Sequence, residues 1–126
     1  MTLDEFNDCC GGFTATTKVV QWGGSHVWKI GGKIFAISEL GDGSNKVGDG
    51  TTKPVAIAFK CSDMSYRLLL DIEGIVPAPY LARAKWVRVE ADAEFSDEDR
   101  QAYMAQAHKI ISAKLTKKLQ KELGLN

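Results

Sequence analysis

The stretch HVWKIGGKIFAIS, residues 26–38, decides the fold. Two alternating runs flank a Gly-Gly pair. A two-residue glycine link between alternating runs predicts a tight hairpin, because primed turns need positive φ at both centres. The link also sets a register: Ile30 opposite Lys33, Trp28 opposite Phe35, His26 opposite Ile37. In a regular hairpin all six side chains share one side of the pleat. The apolar members, Trp28, Ile30, Phe35 and Ile37, are expected in the core, with Lys33 reaching out from its margin. The other side carries Ser25, Val27, Lys29, Ile34, Ala36 and Ser38.

Working outward, residues 55–60 repeat this asymmetry. Val55, Ile57 and Phe59 are bulky; Ala56, Ala58 and Lys60 alternate with them. The bulky side should meet a helix layer, leaving the small-residue side with Lys29 and Lys60 as the open face. Trp86 to Glu90 reads as a last strand, with Val87 and Val89 on one side. Lys18 to Gln21 reads as a short first strand. Between residues 41 and 53, GDGSNKVGDGTTK reads as a hairpin connection. A phosphate loop needs a helix start behind it, and here Pro54 opens a strand. An EF-hand needs Glu at the twelfth position from Asp42, where Lys53 stands.

Helices frame these strands. Thr2 and Glu5 form a capping box for a helix ending at Gly11-Gly12. Ser62 caps a second helix to about Leu70 or Asp71. VPAPYLARAK, 76–85, is a structured loop because Pro77 and Pro79 deny it helix. Ser96 caps a long final helix to Leu123, with acids at its positive end. Its apolar stripe is Met104, Ile111, Leu115, Leu119 and Leu123. The prediction is a single α+β domain over 1–126: two layers, an antiparallel sheet packed by the N-terminal and the long C-terminal helix.

Composition limits the functions. Hydrophobic residues make up 44% and charged residues 25%, both ordinary for a globular domain, and the net charge is zero. Any polyanionic partner therefore needs a local patch. Three cysteines without disulfide spacing fit a reducing compartment, and the acidic opening MTLDEFNDCC is no signal peptide. A cytoplasmic protein without membrane contact is expected. GxSxG and HExxH do not occur, and His26 and His108 read as core histidines. Neither an enzyme, a metal site nor a cofactor is expected. The carboxylates Glu90, Asp92, Glu94, Asp97, Glu98 and Asp99 read as a solvated turn and helix cap.

Cations are distributed unevenly. From Arg100 to Lys121 the chain carries Lys109, Lys114, Lys117 and Lys118 and no acid between them. Arg83, Lys85 and Arg88 bracket Trp86, with Tyr80 upstream. Interleaved cations and rings suit nucleic acid, cations meeting phosphate and rings stacking on bases.

The order of motifs resembles the MmcQ/YjbR family, whose fold is frataxin-like (CyaY-like). The matching residues are Gly31-Gly32-Lys33-Ile34-Phe35-Ala36, Phe59-Lys60, Pro79-Tyr80-Leu81, Trp86-Val87 and Leu115-Thr116-Lys117-Lys118. They span roughly residues 20 to 118. The chain departs from the family at Ala107-His108, where Ser-Tyr is usual. Its 41–53 loop is longer than is common, and 119–126 extend past the usual end. The resemblance implies DNA binding. Carried over by residue, the candidates are Lys33, Lys60, Tyr80 and Trp86. The charge pattern adds Arg83, Lys85 and Arg88. The expected function is a DNA-binding module making weak, salt-dependent phosphate contacts. The alternative is a protein-interaction adaptor or self-associating domain.

Overall fold

A computed structural model describes residues 1–21, 24–39, 54–79 and 81–125. The 41–53 connection and Tyr80 lie outside the described residues. Helix α1 (Leu3–Gly11) leads into strands β1 (Thr16–Gln21), β2 (Ser25–Ile30), β3 (Lys33–Glu39) and β4 (Ala56–Lys60). Then come α2 (Asp63–Leu69), β5 (Ile75–Pro77), a 3-10 turn (Ala82–Ala84), β6 (Trp86–Val89), α3 (Asp97–Ser112) and α4 (Lys117–Glu122). The six strands form one antiparallel sheet in the order β1-β2-β3-β4-β6-β5. This is the α+β arrangement the sequence predicts, with one strand more. β5 hides in the proline-containing loop, and Pro77 is tolerated because β5 is an edge.

The hairpin forms where expected, with Gly31 and Gly32 at φ 59 and 83. Its register differs. Lys29 pairs with Ile34, but Trp28 pairs with Ala36, Val27 with Ile37 and His26 with Ser38. Phe35 is the extra residue of a β-bulge. A bulge points two successive side chains to one side, so Phe35 and Ala36 both enter the main core. Beyond it the alternation inverts. Ile37 therefore belongs to the opposite face, with Val27, Ala58, Ala78 and Trp86.

That second face is covered, which corrects the expectation of an open surface. Ala78 and Leu81 pack against it, tied by Ala78 N donating to Trp86 O (3.0 Å) and Leu81 N to Ala78 O (3.1 Å). The main core lies on the helix side, between α1, α3 and the sheet. Phe6, Ile30, Phe35, Ile57, Phe59, Val87 and Met104 are fully buried there.

The final helix is two. α3 ends at Ser112, and Thr116 adopts an extended conformation (φ −63, ψ 155) that caps α4. The Thr116 hydroxyl accepts from Leu119 N at 3.1 Å. Gln120 Nε2 donates to Leu115 O, a carbonyl that the break leaves open, and to Ser112 O, which also accepts from Leu115 N, both at 3.0 Å. The break drops Leu115 into the core against the hairpin. The other caps match the sequence reading: Thr2–Glu5 is a capping box, and Ser62 and Ser96 accept from Ser65 N and Asp99 N. No helix among the described residues is long and apolar enough to cross a membrane.

Candidate nucleic-acid interface

Antiparallel pairing collects alternate strand ends. The β2–β3 turn, the end of β4 and the start of β6 lie at one end of the sheet, since Ile30 pairs with Lys33 and Lys60 with Trp86. The α3–α4 junction joins them: a Cβ built on Gly31 would lie 2.7 Å from Leu115 Cδ1. Lys33, Lys60, Arg83, Lys85 and Lys114 are therefore gathered at this end.

Their settings differ. Lys33, Arg83 and Lys114 are exposed. Lys60 is only 9% exposed, and its ammonium donates to the Ala84 carbonyl. Burial lowers its pKa, and nearby Lys114 and Lys85 push the same way against Asp63 and Cys61. Lys60 thus contributes field at this end rather than a free ammonium. Lys85 is half-buried in the left-handed region (φ 63), with its Nζ 5.2 Å from the Tyr66 ring centroid. A non-glycine residue there carries backbone strain. Among the described residues no carboxylate forms an ion pair with Lys33, Lys60, Arg83, Lys85 or Lys114.

Two predicted site residues do not join this surface. Arg88 sits farther along β6, its Nε 3.2 Å from Glu90 Oε1. Trp86 is 5% exposed and roofs the second face, so its ring is not available to stack on a base. Its neighbour Lys85 is only half-buried: the left-handed cap of the 3-10 turn, just before β6 begins, turns it out of the strand. Lys114 is the member that neither the family motifs nor the Arg83–Arg88 charge pattern supplied. Its signal was in the sequence, in the acid-free run from Arg100 to Lys121.

The far end of the sheet is acidic. Glu90, Asp92, Glu94, Asp97, Glu98 and Asp99 follow β6 and open α3. Inside them lies Arg100, 4% exposed. Its Nη1 donates to the Phe95 carbonyl and lies 3.6 Å from Asp97 Oδ1, and its Nη2 lies 3.4 Å from Glu90 O and 3.5 Å from Ala93 O. The acidic turn is therefore more than a solvated cap: it wraps a structural cation.

The histidines hold structure, as the sequence reading expects. His108 Nε2 donates to Thr14 O at 2.9 Å, its ring edge-on to Phe35. The thiols of Cys10 and Cys61 are buried; burial raises both, Cys61 to about 12.

A family model described as YjbR matches residues 12–110. The chain belongs to the YjbR family. Among solved structures it is similar to a Deinococcus radiodurans protein with a DUF419 domain, at TM-score 0.80 and 20% identity, covering 99% of this chain and 89% of that one. It is also similar to a Pseudomonas syringae protein, at TM-score 0.66 and 17% identity, covering 87% of this chain and 98% of the other. At these identities the likeness is one of fold. A search of curated proteins finds none that matches. In this YjbR domain the matched span takes in the whole sheet and nearly all of α3. It stops short of Lys114 and α4, so the basic end is built partly from residues outside it.

Proposed function

We propose that this YjbR domain is a non-catalytic nucleic-acid-binding module that meets the phosphate backbone end-on, through Lys33, Arg83, Lys85 and Lys114, with Lys60 adding field behind them. The observation that carries this reading is the sorting of charge. A chain of zero net charge places these cations at one end of its sheet and its densest carboxylate run at the other. Such an arrangement steers one end towards a polyanion and holds the other away. Phosphate contacts position a protein without reading bases, so the reading needs no exposed aromatic ring, and Trp86 stays in the core.

Fluorescence anisotropy with labelled duplex and single-stranded DNA at low salt tests it. Neutralising about four phosphates gives a slope of log K against log salt of about −3 to −4. Lys85→Gln and Lys114→Gln should each flatten the slope by about one. Arg88→Gln, beside Glu90, should leave it unchanged. Absence of binding to either DNA at low salt overturns the proposal.

A further inference from the structure

The two edges of the sheet are guarded unequally. β5 is three residues long and ends in Pro77, which has no N–H to offer. Natural sheets blunt their edges in this way. The other edge is β1, TTKVVQ, which holds an unbroken register with β2 from Thr16–Ile30 to Gln21–Ser25. It has no proline, glycine or bulge. Val19 and Val20 are 38% and 55% exposed, and among the described residues no strand pairs with its outer side. A run rich in β-branched residues with free N–H and C=O groups is a template for strand addition. Lys18 is the one charge along it.

We propose that β1 is a homodimer interface, pairing antiparallel with β1 of a second copy about a twofold axis that passes through Val19, normal to the sheet. Residues directly opposite each other must share a face, so such an axis passes at a residue position. At Lys18 it would set two ammonium groups face to face. At Val19 it sets valine against valine, Lys18 against Val20 of the second copy, and Thr17 against Gln21. The strand is therefore self-complementary in this register.

Charge favours a second copy over an unrelated strand. Thr16 lies beside the hairpin tip at the basic end, and Gln21 lies at the opposite, acidic end. Antiparallel pairing thus sets the two sheets head to tail, so that across the shared edge the cation-bearing end of each copy faces the carboxylate-bearing end of the other at long range, β6 and its acidic run lying four strands in from β1. With zero net charge, no overall repulsion opposes the approach. One short strand buries less area than a permanent dimer needs, so the association is weak and depends on concentration and salt.

Sedimentation velocity over a concentration series at low ionic strength tests the interface. The weight-average mass should climb from 13.8 kDa towards twice that value. Val19→Lys should hold the protein monomeric with an unchanged thermal melt, as should Val19→Glu. Mixing those two variants should restore the dimer, since the two charges would then face each other. Val76→Lys, on the guarded edge, should dimerise like the wild type. A wild type that stays monomeric at the highest concentration overturns the proposal. So does a Val19→Lys protein that dimerises normally, or a mixture that fails to pair.

Discussion

Gly31 and Leu115 touch so closely that the glycine has no room for a side chain. An added Cβ would meet Leu115 Cδ1 at 2.7 Å and Cδ2 at 2.9 Å, from a backbone at φ 59. This contact holds the hairpin tip against the α3–α4 junction and so keeps Lys33 near Lys114. Gly31→Ala combines left-handed strain with overpacking and should cost about 2–3 kcal/mol in urea unfolding. Leu115→Ala should cost about 2–5 kcal/mol by opening a cavity. Gly32→Asn faces open space and tolerates positive φ, so its midpoint should barely move.

Asn7 ties α1 to β2. Trp28 Nε1–H can only donate, and it does so to Asn7 Oδ1 at 2.9 Å. The Asn7 amide nitrogen is then left to donate to His26 Nδ1 at 3.1 Å, so the imidazole is neutral with its proton on Nε2. Burial, assisted by Lys18, lowers the His26 pKa. The unfolded chain therefore takes up a proton first as pH falls. Stability should be full above about pH 6.5 and decline below it, down to the depressed folded pKa. His26→Gln should remove this part of the pH dependence below about pH 6.5. An unchanged curve would mean that another group carries it.

Arg100 is the donor for a turn that has few others. Replacing it with Met would strip the carbonyls of Phe95, Glu90 and Ala93 of the guanidinium and remove the buried charge beside Asp97. The loss should be about 3 kcal/mol or more. Hydrogen exchange should speed up first in residues 90–97.

α4 depends on two side chains. Thr116→Ala removes the cap and should cost about 1 kcal/mol. Gln120→Ala uncovers the Leu115 carbonyl and takes one of two donors from Ser112 O, and should cost a similar amount. In both variants the amides of 117–123 should exchange faster while those of α3 keep their protection.

Periodicity carried the strands and caps, because alternation and Ser/Thr capping are local properties. Val55, Ile57 and Phe59 fall on the helix side as their spacing implies. What failed was local irregularity imposed by tertiary packing. Nothing in KIFAIS marks Phe35 as an insertion, so Ile37 was assigned to the wrong face. Thr116 stands in a lysine-rich run that reads as uninterrupted helix, and only the seat of Leu115 under Gly31 explains the break. At the candidate interface, Lys60 and Trp86 have the residue types of a binding surface. Their burial follows from Ala78, Leu81 and Ala84, which pack on or bond to them in a way no spacing rule supplies. The Lys85 cation was legible; its left-handed backbone was not.

The inserted Phe35 also works as a detent. A plain strand can slip by two residues and still present the same chemistry to each side. β3 cannot, because sliding would carry its kink away from Trp28 and expose part of the aromatic cluster. The central hairpin is thus keyed to a single alignment.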